Sequence, residues 1–343
     1  MASGSDRTQQ PVFVVGAARS GTTLLQSLIA SMPDFHSCPE THFFDELMSR
    51  GPVCGGYQLH RPRLENLPSN ISEECLRKSF QKAEAGFLKI PLSVKKELLK
   101  RSQANSLTPS EYLYFLMGAC YPGPRENQNI RWVEKTPIHI SYLKQIFTLF
   151  PEALVVCVRR TPLDVLLSAV STFRIPSCIA ALDYYRSYRD VKKFLKLHSS
   201  YDNRIYFVSY ESILCSDKAL EGLLKFLEVE KLQLDLLKTA AKKRFFELYG
   251  DTVMLAIQPK MSGSLQKKLG MWQSKAIAGY ASVLDSLFAD SSASKKHLFF
   301  STFPYLVPMV KDFFCGIIYI LRWRIQWLLM LIVRLPFFHP ESF

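Results

Sequence analysis

The apolar run Val12-Phe13-Val14-Val15 leads directly into Gly16-Ala17-Ala18-Arg19-Ser20-Gly21-Thr22-Thr23. A short buried strand, a small-residue turn and a helix start, in that order, leave a chain few folds. The turn lets backbone N–H groups and the positive end of a helix surround one anion. This is the device of the P-loop, G-x-x-x-x-G-K-[ST]. Gly16, Gly21 and Thr23 stand in register with that pattern. Thr22 replaces the lysine that reaches the β- and γ-phosphates, and a cation appears three residues earlier, as Arg19. Such a loop still takes an anion, but it points away from ATP and towards a different phosphorylated donor.

The rest of the chain alternates strand-like and helix-like segments. Residues 23–32 read as a helix with Leu24, Leu25, Leu28 and Ile29 on its apolar side, ended by Pro33 and Asp34. Another helix is expected from Phe43, a Gly- and Pro-rich loop over 51–70, and two or three helices over 72–120. Strands at 130–133, 153–158 and 204–208 alternate with helices at 138–150, 162–172, 183–197 and 210–227. That alternation argues for a parallel sheet covered on both faces. The expected fold is α/β: a P-loop-like parallel sheet with helices on both faces, a helical insert and a hydrophobic C-terminal helical tail. Residues 1–10 read as a disordered N-terminus, 11–290 as the main domain with its insert at 51–129, and 291–343 as the tail.

Charge and cysteines narrow the setting. A formal net charge of +13 suits anionic partners. No zinc-finger spacing, RNA-binding signature or basic heptad region is present, so nucleic acid is not expected among them. Of eight cysteines none forms C-x-x-C, and Cys157 sits inside an apolar run, the pattern of reduced thiols in a cytoplasmic protein. Residues 1–10 are polar, with no signal peptide or anchor. In the tail, Arg322-Trp323-Arg324 separates two uncharged nonamers, 313–321 and 325–333. Inserting two arginines costs roughly 5–7 kcal/mol, against roughly 4–7 kcal/mol returned by about 12 strongly apolar residues. A helix lying on a membrane surface through residues 313–333 is thus as well supported as a span; a helix packed on the sheet or at a dimer interface is the other reading.

Arg159 and Arg160 end the strand at 153–158, where a P-loop nucleotidase would present an aspartate to Mg²⁺. In open α/β sheets ligands bind beyond the carboxyl ends of the strands. The arginines therefore face the ligand, and Arg160 with Ser168, about two helical turns on, suits a second phosphate. No His, Cys or Asp cluster has ligand spacing, so no metal is expected.

Together these segments resemble the sulfotransferases that use 3′-phosphoadenosine 5′-phosphosulfate (PAPS). Arg19-Ser20-Gly21-Thr22-Thr23 matches that family's 5′-phosphosulfate loop, and Arg160 through Ser168 its 3′-phosphate motif, R-D-P-R-D-x-x-x-S. Thr161 and Leu163 depart from the latter. Ser209-Tyr210-Glu211 resembles the R-Y-E segment, with Ser209 in place of Arg, and Lys267-Lys268-Leu269-Gly270-Met271-Trp272 a late basic segment. The insert resembles the branch containing tyrosylprotein sulfotransferases and bacterial relatives, in which Glu40 and Lys135 match a base and a lysine.

The resemblance implies that Arg19, Ser20, Gly21, Thr22, Thr23, Arg160, Ser168, Tyr210, Lys267 and Lys268 bind PAPS. Arg19 and Lys135 are expected on the sulfuryl and bridging oxygens. Glu40 would take the proton of an acceptor hydroxyl on a lipid, a glycan, another small molecule or a peptide tyrosine, and Arg19 nearby would keep it ionised. His42 and His139 are rival bases. A divergent P-loop nucleotide kinase and a non-catalytic membrane-associated nucleotide-binding protein stay open as alternatives, as does the oligomeric state.

Overall fold

The computed structural model describes residues 10–48, 67–85, 90–119, 130–230, 232–249, 269, 271–288 and 305–333. Five strands form one sheet: β1 (Val12–Gly16), β2 (Phe35–Ser37), β3 (Arg131–Lys135), β4 (Leu154–Arg159) and β5 (Ile205–Ser209). Their order is β2-β3-β1-β4-β5, and every neighbouring pair is parallel. β1 is central and fully buried, which is why its sequence is apolar at every position rather than at alternate ones. The chain leaves β1 towards β2 on one side and later crosses to β4 on the other. The turn after Gly16 therefore lies where the strand order reverses, the place such sheets bind ligands.

Helices cover both faces of the sheet. Val12 and Val14 point to one face, where they join Leu25, Leu28 and Ile29 of α1 (Thr22–Ile29) in a core. That core includes Leu220, Leu223 and Leu224 of α2 (Asp217–Phe226) and Leu237 and Ala241 of α3 (Leu234–Tyr249). Phe13 points to the other face, with its ring 6.5 Å from Phe44 and 5.6 Å from Phe150. Residues 73–85, 92–103 and 109–119 are helical, as expected of the insert. The last of these starts with a reciprocal cap. Glu111 N–H donates to Thr108 Oγ1 at 3.3 Å, and Thr108 N–H donates to Glu111 Oε2 at 2.9 Å.

Several boundaries differ from expectation, each for a local reason. β2 is a strand of three residues, too short to leave a period in the sequence. Strand β3 runs on to Lys135, two residues beyond the expected end at 133. Pro137 opens a 3₁₀ turn, Pro137–Tyr142, before the helix Leu143–Leu149. The helix expected over 210–227 breaks in two because Ser216 caps a fresh start, accepting from Ala219 N–H at 3.4 Å. The helix expected over 183–197 begins earlier, at Ser177.

The described elements divide into two compact units. One holds the sheet, α1–α3 and the insert helices. The other holds α4 (Pro162–Phe173), the first part of α5 (Ser177–Leu197), α6 (Met271–Phe288) and α7 (Leu306–Val333). Within this second unit α6 packs on both α4 and α7. No helix among the described residues is long and apolar enough to cross a membrane.

Candidate active site

The loop after β1 is shaped by two backbone requirements. Gly21 has φ 101°, a conformation natural to glycine, and a Cβ there would lie 2.1 Å from Tyr210 Cδ2. A Cβ on Gly16 would meet Val158 O at 2.8 Å. The loop can therefore lie against β4 and the Tyr210 ring only with glycine at both positions. No side chain caps α1, so its first N–H groups face the loop. Ser20 is fully buried, and its Oγ has no hydrogen-bond partner among the described residues. Leaving a buried hydroxyl unsatisfied costs about 1–3 kcal/mol, which a bound oxyanion would return. The loop fits an anionic group.

Across the loop stands an ion pair. Lys135, at the carboxyl end of β3 and aligned with Val14 of β1, is wholly buried. Its Nζ contacts Glu40 Oε1 and donates to Thr23 Oγ1 at 3.2 Å. Glu40 is 31% exposed, and its other oxygen lies 3.3 Å from Nε2 of His42, itself 52% exposed. Burial pushes the Glu40 carboxyl up, but Lys135 and His42 outweigh it and hold it at about 2. Lys135, with His42 beside it, thus keeps Glu40 ionised. Arg19 belongs to the loop, at φ 70°, and its carbonyl accepts from Arg160 at 3.4 Å.

A buried scaffold holds Glu40 to the loop. Gln26 of α1 donates to Ser37 Oγ at 2.6 Å and to Cys38 O at 2.7 Å. Thr41 donates to Glu134 Oε1 at 2.8 Å, and His42 N–H donates to Thr136 Oγ1 at 3.2 Å. Successive strand residues face opposite ways. Lys135 therefore serves Glu40 while Glu134 turns to Thr41, Thr136 and His139. Burial raises the Glu134 carboxyl, and His139 with the two threonine hydroxyls lowers it further, below the usual range. His139 Nδ1 lies 2.8 Å from Glu134 Oε2, and its Nε2 accepts from Phe44 N–H at 3.4 Å. Both ring nitrogens of His139 are engaged and the ring is buried. Gln26, Thr41 and Glu134 carry no signal in the sequence, because their partners are brought to them by the fold.

On the far side, Arg160 follows β4 with its guanidinium 4.5 Å from the centre of the Tyr210 ring. Tyr210 is buried and lies between Arg160 and Gly21, so it orders both. Arg159 lies over Tyr188 at 6.0 Å. Ser168 sits on α4 in the second unit. Lys267 and Lys268 lie outside the described residues. The structure thus brings together Arg19, Ser20, Gly21, Thr22, Thr23, Glu40, Lys135, Arg160 and Tyr210. Among the described residues no group of three or more His, Cys, Asp or Glu side chains is placed to hold a metal.

Comparison with known proteins gives this arrangement its family. A sequence model described as the sulfotransferase family matches residues 11–233, well over half of the chain. No curated protein matches the sequence. Among solved structures, the chain is similar to the sulfotransferase domain of the Synechococcus PCC 7002 olefin synthase. That likeness has 18% identity over 83% of this chain and 97% of the other, with a TM-score of 0.50, and shows the fold. Two weaker likenesses each have a TM-score of 0.44. One is a sulfotransferase domain from the curacin biosynthetic pathway, 19% identical over 75% of this chain and 82% of the other. The other is a mouse sulfotransferase in complex with PAP, 12% identical over 84% of this chain and 87% of the other. With the family match spanning the anion loop, the Glu40–Lys135 pair and Arg160, the chain belongs to the sulfotransferase family.

Proposed function

We propose that this sulfotransferase takes its sulfuryl group from PAPS and passes it to an acceptor hydroxyl, with Glu40 as base and Lys135 and Arg19 as the cations around the reacting sulfur. The observation that carries the reading is the Lys135–Glu40 pair beside a loop whose buried Ser20 hydroxyl lacks a partner. The loop amides, Ser20 and Thr22 hold the phosphosulfate end, and Arg160 holds the 3′-phosphate. Tyr210 orders Arg160 and the loop. Lys267 and Lys268 complete the donor site in this reading.

The chemistry follows from where the charges lie. Sulfuryl transfer forms a bond from the acceptor oxygen to sulfur and breaks the bond from sulfur to the bridging phosphate oxygen. That oxygen leaves with the electron pair as part of PAP. Negative charge spreads in the transition state, so fixed cations do most of the work. Lys135 leaves Glu40 for the bridging oxygen and neutralises the charge that grows there. Glu40 then loses its largest favourable influence while its burial remains, and its proton affinity rises. It accepts the acceptor's proton as the oxygen attacks. Glu40, itself partly exposed, then gives that proton up to water.

Two further assignments go with this reading. The described cysteines are free thiols, and burial pushes those of Cys157 and Cys178 up to about 12, which suits an inert role in a reducing cytoplasm. The acceptor is a hydroxyl on a lipid, a glycan, another small molecule or a peptide tyrosine. Calorimetry with adenosine 3′,5′-bisphosphate in EDTA tests the donor assignment. Binding without Mg²⁺, weakened at least about tenfold by Arg160→Ala, is expected from loss of a charge-assisted contact. Tight ATP binding that needs Mg²⁺, with none of the bisphosphate, would instead support the kinase reading.

A further inference from the structure

Helix α7 has two faces with opposite fates. One face is fastened within the second unit. Asp312 receives the first N–H groups of α5, Ser177 N–H at 3.1 Å and Cys178 N–H at 2.7 Å. Gly316 lies so close to Cys178 that a Cβ would sit 2.3 Å from its Sγ. Tyr280 of α6 donates to Met309 O at 2.9 Å. At about 100° per residue, Tyr305, Met309, Asp312 and Gly316 share one side. The opposite side carries Val307, Val310, Phe314, Ile317, Ile318 and Leu321, all exposed, with Phe314 at 60% and Ile318 at 65%. A contiguous apolar face of this size on a protein surface marks a binding site.

The charges say what covers it. The helix contains Lys311, Asp312, Arg322 and Arg324. Asp312 is turned inward on α5, so the charges left to the rest of the helix are all positive. An exposed apolar face on a helix whose remaining charges are all positive is the pattern of a helix lying in the interface of an anionic bilayer. A second copy of this helix, packed on the same face, would set like charges against each other. Exposed Trp272, with Lys311 Nζ 5.1 Å from its ring centre, adds an aromatic of the kind found at headgroup level.

We infer that α7 lies flat on an anionic lipid surface through the face centred on Phe314 and Ile317, held in place by Asp312 and Gly316, and so brings the enzyme to the membrane without crossing it. The test is flotation of the full chain with vesicles of phosphatidylcholine alone and of phosphatidylcholine with phosphatidylserine. The wild type floats with the serine-containing vesicles, roughly tenfold more weakly with the neutral ones, and less as salt rises. The double variant Phe314→Glu, Ile318→Glu changes only exposed positions, keeps its melting temperature and no longer floats. Arg322→Gln with Arg324→Gln keeps some binding but loses the preference for phosphatidylserine. Flotation with neither vesicle, or equal flotation of the double glutamate variant, overturns the proposal. So does a wild-type dimer, seen by light scattering, that the double glutamate variant converts to monomer, because that result gives the face to a second copy.

Discussion

Glu40 is both the assigned base and a carboxylate poorly placed to act as one, since Lys135 and His42 hold it at about 2 against an ordinary 4.5. The two facts fit if the donor draws Lys135 away, so that Glu40 becomes basic only when there is something to transfer. Glu40→Gln should then lower turnover by about 10²–10⁴, with little change in affinity for adenosine 3′,5′-bisphosphate; unchanged turnover would pass the role to His42. Glu111 shares the acid sensitivity: the Thr108 N–H, the Thr108 hydroxyl and Arg101 hold it at about 2. The unfolded chain binds these protons near 4.5, the folded chain only near 2. Between those values protonation favours the unfolded state, so stability is full above about 4.5 and falls as the pH approaches 2. Melting curves across that range should show the loss, and Glu40→Gln should flatten part of it. The anion loop was legible residue by residue because its glycines and its strand are local. The Glu40–Lys135 pair was legible only through family resemblance, since 95 residues separate the partners.

At the scale of elements, the parallel sheet follows from apolar runs that do not alternate. The misses have physical reasons. β2 is three residues long, and its placement rests on Ser37 donating to Val133 O at 2.6 Å, a contact between distant segments. The break before Asp217 follows from a serine whose capping role competes with helix continuation. Asp312 is the clearest element-scale device that the sequence hides: read alone, it is one acid in an apolar tail, but in the fold it caps α5 from another helix. Asp312→Ala leaves the Ser177 and Cys178 N–H groups without that carboxylate. It should cost about 1–2 kcal/mol, read as a lower melting temperature, and Asp312→Asn should restore part of it. A variant as stable as the wild type would remove the clasp from the account.

For the whole molecule, the opening loop, the carboxyl ends of the strands and the family match converge on one reaction. The anion loop sits where the sheet's strand order reverses, Lys135 ends β3 and Arg160 follows β4. Arg19 of the loop, Lys135 and Arg160 thus all lie at the carboxyl end of the sheet's strands. The most direct measurement is incubation of the purified chain with sulfur-labelled PAPS and a cell extract, followed by separation of the products. The wild type should move label onto a hydroxyl-bearing product and release adenosine 3′,5′-bisphosphate in the presence of EDTA. Lys135→Ala should do neither above background. Label that stays on the donor with the wild type, or moves equally well with Lys135→Ala, would contradict the assignment.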